Sequence, residues 1–336
     1  MFEVDTIAKY TSDTRPWGFR NSGSEAALSN DTLISVTTDR STVLKIKLPD
    51  SFTTWTGLKR ETSERQARVE LLPCGYEVSA SASPRGQHRP GLPMLALRSN
   101  SFEAVHIILE DLPNTDLGPI SDLSGQTPAH VFQAEKYAYL LASHLSDFFL
   151  TVGTTRVILE DIAQETIETN ALILEDFHAA KERLGAIARQ GLKPAFEAAD
   201  VFNLYLIQSL VGNADYFFDF RDFGGFHSHN VEVFCLDGLW IPVPFDFQFS
   251  IFAAPRHKRY PRAGVEEYAR SVAEFLSGML QHLSGLHSVD FVYQAIASAR
   301  SMVEASITEP ELKMHYSTYL EILEHNVTAT RSLRNK

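Results

Sequence analysis

The sequence predicts an α+β fold of two lobes, a β-rich amino-terminal lobe followed by a helical carboxy-terminal lobe. Of the 336 residues, 44% are hydrophobic, which is enough for a substantial core and favours two lobes over one compact module. Apolar and polar residues alternate in the first half, as in half-buried strands, whereas apolar residues recur at helical spacing in the second. We predict a loop-rich arm at 1–41, the β-rich lobe at 42–176 and the helical lobe at 177–336.

The β-rich lobe is predicted from short alternating or apolar runs bounded by loop-forming residues. Its predicted strands are Thr42–Leu48, Gln66–Leu72, Ala104–Leu109, Thr154–Leu159 and Ala171–Leu174. One long helix is predicted from Pro128 to about Asp147, because apolar residues recur there every three or four positions. We expect the last strand to end at Glu175 and Asp176, where one lobe passes into the other.

The helical lobe is predicted from four segments with helical apolar spacing. These are Phe177–Ile187, Lys193–Leu210, Val265–Leu283 and Val289 to about Asn335. Gly212 is expected to end the second of them, since glycine commonly follows the last helical residue. Between the second and third lie two short runs, Asn230–Cys235 and Leu239–Val243, which predict a β-hairpin turning at Asp237-Gly238.

Three polar residues flank these elements in an order that suits metal-assisted phosphoryl transfer. Asp215 follows a predicted helix, Asn230 begins a strand and Asp246 follows the next strand. In such reactions a carboxylate orients the attacking hydroxyl, while an amide and a second carboxylate hold Mg²⁺ against the phosphates. We therefore predict Asp215 as the catalytic base and Asn230 and Asp246 as metal ligands.

The segments around these residues resemble an atypical kinase-like family of the HipA and CotH type, and above all its uncharacterised bacterial relatives. The matching runs are Leu210–Asp215, His229–Val231 and Ile241–Phe247. The resemblance implies a two-lobed, atypical protein-kinase-like fold that binds ATP with Mg²⁺, Mn²⁺ being the alternative ion. Asp215 and Asn230 lie 15 positions apart, against about five in ordinary protein kinases, so the loop between them is longer here.

A fainter resemblance extends upstream and implies the nucleotide contacts. Ala134–Leu140 is similar to the family helix whose glutamate, here Glu135, pairs with a phosphate-binding lysine, and Arg85–Arg89 is similar to its Arg-Gly hairpin. The nucleotide-binding residues so implied are Glu135, Arg85, Arg89 and Glu175, with Asn213, His229 and Gln248 in supporting positions. Two residues depart from the family pattern: Gln248 replaces a second carboxylate, and His106 stands where the lysine is expected.

We accordingly predict a phosphotransferase that acts on an unidentified protein or small-molecule acceptor. The alternative is a catalytically weakened pseudokinase that binds a nucleotide or a partner, which His106 and Gln248 favour. A third hypothesis is a zinc site at His227 and His229, whose side chains would point the same way along a strand.

Composition restricts the partners and the compartment. The formal net charge of −12 argues against nucleic-acid binding, which requires clustered lysine and arginine. The two cysteines, Cys74 and Cys235, are too few for a disulfide framework. No run approaches the roughly 18 apolar residues needed to cross a bilayer, so we expect a soluble, cytoplasmic protein without a membrane span. An exported form whose signal peptide has been removed is the open alternative.

Overall fold

The computed structural model describes residues 11–12, 42–52, 54, 64–85, 94–100, 104–110, 127–146, 148–186, 196–213, 215–219, 227–236, 239–247, 250, 252, 264–282 and 289–332. Of the predicted arm at 1–41, only Thr11–Ser12 belongs to this set. The helices among these residues are α1 (Pro128–Leu145), α2 (Phe177–Arg183), α3 (Ala198–Leu210), α4 (Val265–His282), α5 (Val289–Ser306) and α6 (Pro310–Ser332).

The strands among the described residues alternate with these helices only in the middle of the chain. They are β1 (Thr11–Ser12), β2 (Val43–Lys47), β3 (Arg65–Leu72), β4 (Tyr76–Arg85), β5 (Met94–Arg98), β6 (Val105–Leu109), β7 (Val152–Glu160), β8 (Thr166–Glu175), β9 (Phe196–Glu197), β10 (Phe217–Asp219), β11 (His227–His229), β12 (Val231–Leu236) and β13 (Leu239–Pro244). The fold is thus a mixture of helices and strands, as the sequence predicts, with the strands concentrated in the first half.

Seven strands form a closed barrel in the order β2-β3-β4-β5-β6-β8-β7. Neighbouring strands are antiparallel except at the closure, where β2 and β7 pair in parallel, with Val43 opposite Arg156 and Lys47 opposite Glu160. Alternate residues along each strand point inward and fill the barrel with aliphatic side chains, because successive side chains of a strand face opposite sides. These include Leu44, Ile46, Val69, Leu71, Leu95, Leu97, Ile107, Leu109, Val157, Leu159 and Ile173.

A second hydrophobic core lies in the helical half and extends to the outside of the barrel. It is formed by α1 and α3–α6 together with the β12–β13 hairpin. Ile108 of β6 and Leu172 and Leu174 of β8 belong to this core, whereas Ile107 and Ile173, their neighbours in sequence, face the barrel interior. We call β6 and β8 the shared wall, because each strand contributes one face to each core.

A small sheet in the helical half carries the predicted hairpin. Its order is β1-β9-β13-β12, with β12 and β13 antiparallel and Val231 opposite Pro244. The hairpin is confirmed, although its turn at Asp237-Gly238 lies outside the described residues. Tyr319 of α6 donates a hydrogen bond to the carbonyl of Ser209 (2.5 Å) near the end of α3, which ties the long carboxy-terminal helix to the segment that leads to Asp215.

Most predicted elements are present, and the differences have local causes. The helix predicted from Val289 to about Asn335 is two helices, because Pro310 cannot donate a backbone hydrogen bond and would clash with the carbonyl of Ser306. The helix predicted to reach Ile187 ends at Arg183, since Gly185 adopts a positive φ of 67°. The predicted start of α3 at Lys193 is also wrong, because Phe196–Glu197 pairs as β9 with β13.

The closed barrel is the main correction to the predicted architecture. The resemblance implies the typical two lobes of a kinase, whereas the first half of this chain closes seven strands on themselves. In addition, α1 was assigned to the β-rich unit at 42–176, yet its buried residues belong to the helical core. Among the helices of the described residues, none has the length and apolar character needed to cross a bilayer.

Candidate functional site

Asp215 and Asn230 are in contact at the open end of the β12–β13 hairpin, and the backbone that carries Asp246 lies beside Asn230. Asn230 comes directly before β12, and Asp246 lies two residues after β13. The hairpin ends are joined because the amide of Phe245 donates to the carbonyl of Asn230 (3.0 Å). The Asn230 side-chain nitrogen Nδ2 donates to the Asp215 carbonyl (2.7 Å) and lies 3.3 Å from its Oδ2. Residues 31 positions apart in the chain thus share one small region.

The end of α3 fixes the loop that carries Asp215. Gly212 has a φ of 66°, and its amide donates to the carbonyl of Ser209 (3.1 Å), while the Asn213 amide donates to the carbonyl of Gln208 (2.9 Å). This pair of bonds is a Schellman motif, which requires a left-handed residue at the position of Gly212. The prediction that Gly212 ends this helix is therefore confirmed.

Asn213 connects the helix end to Asp215 through its side chain. Its Nδ2 donates to Gln208 Oε1 (2.9 Å), and its Oδ1 accepts from the Asp215 amide (2.9 Å). Asn213 is 1% exposed and also forms an isolated antiparallel bridge with Ser250. Because Ser250 follows Asp246 by four residues, Asn213 holds together the two loops that carry the carboxylates.

Both hairpin-end residues have left-handed backbones. Asn230 and Asp246 each have a φ of 56°, a region that Asn and Asp enter more readily than other residues with a side chain. Such conformations cost about 1–3 kcal/mol and cluster at functional sites. Asp215 is buried, with 7% exposure, whereas Asn230 and Asp246 are partly exposed, so the site opens towards solvent on the hairpin side.

Helix α1 reaches the site through Tyr139, a residue that the sequence did not single out. The Tyr139 hydroxyl accepts a hydrogen bond from the Asp246 amide (3.1 Å), and its ring makes an edge contact with Phe247 at 5.0 Å. Glu135 lies one turn earlier on the same helix face and is fully buried. That four-residue spacing from Glu135 is the signal that could have identified Tyr139.

Glu175, predicted to contact the nucleotide, is engaged by its neighbours. Arg183 donates to both carboxylate oxygens, from Nε at 2.8 Å and from Nη2 at 2.7 Å, and the Thr151 amide donates to Oε2 (2.9 Å). A bidentate arginine is among the stronger partners a carboxylate can have. The Glu175 side chain therefore holds the junction of β8 and α2, at 3% side-chain exposure.

His106, at the position expected for a phosphate-binding lysine, lies beside a carboxylate. Its Nε2 is 3.1 Å from Asp176 Oδ2, and Asp176 Oδ1 accepts from the His178 amide (2.9 Å) as the N-cap of α2. The His106 imidazole, helped by that amide, lowers the pKa of Asp176 to about 2. The next residue, Phe177, packs against Phe245 with ring centroids 5.0 Å apart, so this junction adjoins the site.

The remaining predicted residues lie where the structure gives no side-chain description. Arg89 and Gln248 fall outside the described residues, as do the side chains of Arg85, His227 and His229. Within the described part of the chain, no group of three or more His, Cys, Asp or Glu side chains is arranged to hold a metal ion. The oxygen-rich set at the hairpin end consists instead of two carboxylates and one amide, a combination that suits Mg²⁺. Comparison of the chain with known protein families and with curated proteins gave no match.

Proposed function

We propose that the chain is an ATP- and Mg²⁺-dependent phosphotransferase of atypical kinase-like type, with an acceptor that is a protein or a small molecule. The observation that carries the proposal is the contact of Asn230 with Asp215 at the end of the hairpin where Asp246 also follows β13. In this proposal the barrel takes the place of the amino-terminal kinase lobe, and the helical half takes the place of the other.

The Asn230 side chain can contact Asp215 and a metal ion at the same time. Its nitrogen is directed to Asp215, so its oxygen Oδ1 remains as a ligand for a hard cation. Asp246 would supply the second ligand, and Mg²⁺ bound there would neutralise charge on the phosphates. The sharply turned backbones of Asn230 and Asp246 fix the direction of both side chains relative to the strands.

Asp215 is placed to act as the base. The Asn213 side chain holds its amide, and the Asn230 amide group lies beside its Oδ2, so the carboxylate is held at a fixed angle. The other oxygen, Oδ1, would accept the proton of the attacking hydroxyl. Glu135, Glu175, Arg85 and Arg89 remain the proposed nucleotide-binding residues on the resemblance alone, and the side chain of Glu175 is already bound by Arg183 and the Thr151 amide.

A nucleotide- or partner-binding module without turnover is the second candidate. The observation in its favour is at the β8–α2 junction, where His106 stands in place of the expected lysine and lies beside Asp176. An imidazole engaged in this way is a poorer phosphate ligand than a lysine that faces the cleft.

Paired substitutions test the proposal. Asp215→Asn should lower kcat for phosphoryl transfer by at least about 100-fold while Mg²⁺-dependent ATP binding persists. Asp246→Asn should abolish the Mg²⁺ dependence of that binding. Calorimetric titration with ATP, with and without Mg²⁺, measures binding, and release of ADP measures turnover. Glu267→Gln, an exposed carboxylate of α4, is the matched control.

Three results would be informative. A wild-type protein that binds no ATP in the presence of Mg²⁺ would reject the proposal, as would full activity in both variants. Binding that depends on Mg²⁺ and on Asp246, without turnover by the wild type, would select the binding module.

A further inference from the structure

A cavity of about 330 Å³ lies between the first half of α1, strands β7 and β8, and the turn between α5 and α6. Asp215, Asn230 and Asp246 do not line it, so it is separate from the site described above. Its size falls at the lower end of the range for small-molecule pockets. Polar side chains dominate the lining, among them Gln133, Lys136, Thr154, Arg156 and Asn170.

Lys136 is the unusual member of this lining. The other lysines with described side chains, Lys45, Lys47, Lys181 and Lys313, each lie within 4.0 Å of a glutamate carboxylate. Among the described residues, no carboxylate lies that close to the Lys136 ammonium group. Lys136 is nevertheless partly buried, and this burial lowers its pKa. A charge withdrawn from water without a carboxylate in close contact is costly, so the geometry favours an anion near it.

The other polar side chains of the lining supply more hydrogen-bond donors than acceptors. Gln133 lies one turn before Lys136, and its oxygen accepts from the amides of Thr308 (2.8 Å) and Glu309 (2.9 Å), which leaves its nitrogen as a donor. Arg156 contributes a second cation at the rim, paired with Glu168. Donors and cations on facing elements are the usual requirement for binding an oxyanion.

Glu110 is the one carboxylate among the described residues of the lining, and it is engaged by Asn170. Glu110 accepts a hydrogen bond from Asn170 Nδ2 (2.5 Å), and its electrostatic effect on Lys136 is weaker than that of burial. Among the described lining residues, the cations Lys136 and Arg156 stand against Glu110, and because Arg156 is paired with Glu168, Lys136 is the cation placed to meet an anion.

We propose that this cavity binds a small oxyanion, a phosphate or a carboxylate group, with Lys136 as its counter-ion. The proposal does not depend on phosphoryl transfer at Asp215. It assigns to Lys136 a binding role that the adjacent Glu135 does not share, because Glu135 lies on the face of α1 that carries Tyr139.

Thermal unfolding with two probes tests this site and distinguishes the two chemistries. Inorganic phosphate and succinate are each added at saturating concentration, with sodium chloride at equal ionic strength as the reference. We expect at least one probe to raise the wild-type Tm by at least about 2 °C. Lys136→Met should abolish the rise, Lys136→Arg should retain part of it, and Lys313→Met, the matched control, should retain all of it.

The proposal is overturned if neither probe raises the wild-type Tm, or if the rise in Tm persists in Lys136→Met. Competitive acetylation followed by mass spectrometry gives the same answer without a variant. The effective probe should slow the acetylation of Lys136 at least about threefold and leave that of Lys313 unchanged. Equal rates with and without the probe would also overturn the site.

Discussion

Asn230 combines a left-handed backbone with side-chain hydrogen bonds to Asp215, so two substitutions there separate stability from binding. Asn230→Ala loses the bonds and keeps the unfavourable φ of 56°, and it should lower the free energy of unfolding by about 1–3 kcal/mol. Asn230→Gly loses the same bonds but adopts that φ without strain, so it should be less destabilising than alanine. Urea denaturation measures the difference.

Both Asn230 variants should lose Mg²⁺-dependent ATP binding to the same extent, because each lacks the amide oxygen. Titration with ATP and Mg²⁺ checks this expectation. The opposite result would be that Asn230→Gly binds ATP nearly as well as the wild type and only Asn230→Ala binds poorly. Asn230 would then act on the backbone conformation and not as a metal ligand.

The low pKa of Asp176, at the junction of the barrel and the helical half, predicts that the stability of the protein depends on pH. Its folded pKa of about 2 lies below the ordinary value of 3.8, so folding favours the charged form. The resulting stabilisation, about 2 kcal/mol, is present above the ordinary pKa and is lost as the pH falls from about 4 towards 2. Asp176→Asn retains an N-cap oxygen for α2 and removes only the charge beside His106.

The stability difference between wild type and Asp176→Asn should therefore be close to that value at pH 5 and shrink at pH 4 and pH 3. Urea denaturation at the three pH values measures it, with Glu182→Gln, an exposed carboxylate of the same helix, as the control. A difference that stays constant with pH would contradict the role of the charge.

At the residue scale, the sequence pattern brought Asp215 and Asn230 into one candidate site, where the structure places them in contact, but it did not predict their surroundings. Asp215, Asn230 and Asp246 were chosen because each lies at the end of a predicted element, and element ends of a hairpin and a helix can meet. The spacing from Glu135 places Tyr139 on the same helix face, but its contact is with the backbone of Asp246, and no residue type encodes that contact. The salt bridge between Glu175 and Arg183 depends on where α2 turns, and the helix end was placed wrongly.

At the element scale, two helix ends with the same geometry provide a matched pair. Gly212 after α3 and Gly185 after α2 have φ values of 66° and 67°, and each forms the two bonds of a Schellman motif. Alanine at either position should lower the free energy of unfolding by about 1–2 kcal/mol. Only Gly212→Ala should also lower kcat, because only this helix end positions Asn213 and Asp215.

Measurement of stability and of ATP turnover in both variants checks this expectation. A Gly212→Ala variant that is destabilised and keeps full turnover would show that the helix end does not position Asp215, the proposed base. Reduced turnover in Gly185→Ala as well would point to a general loss of folded protein.

The elements that the sequence predicted are those in which apolar residues recur at regular spacing. Strands β4 and β5 were not identified as strands, because β4 contains Ala and Ser at alternate positions, and these residues have weak strand preferences. Pro310 is visible in the sequence as a helix breaker, but apolar residues recur at helical spacing on both sides of it, and this spacing predicts one continuous helix. Local pattern therefore identified the elements and misplaced several of their ends.

At the scale of the whole molecule, the closure of the barrel could not be predicted from local pattern. Its closing pair joins β2 and β7, in which Val43 lies opposite Arg156, and no periodicity relates segments so far apart. Alternation did predict which faces of β2 and β3 are buried. It could not predict that β6 and β8 are buried on both faces, which requires knowing that the helical core packs against the outside of the barrel.

The shared wall predicts that the two cores unfold together. Ile107 and Ile173 stabilise the barrel interior, while Ile108 and Leu172 stabilise the helical core from the same two strands, so neither core can lose β6 or β8 alone. We expect calorimetry to give a single transition. Leu97→Ala in the barrel and Leu276→Ala in the helical core, both fully buried, should each lower the free energy of unfolding by about 2–5 kcal/mol.

Each of these two variants should shift the whole transition and not one part of it. Far-ultraviolet circular dichroism and tyrosine fluorescence can be followed in the same samples, because buried tyrosines such as Tyr137, Tyr316 and Tyr319 lie in the helical core. Coincident curves from the two probes would support one cooperative unit. The opposite result would be two separated transitions, of which Leu97→Ala shifts only one and Leu276→Ala only the other. It would mean that the barrel and the helical half fold independently and that their contact across β6 and β8 contributes little stability.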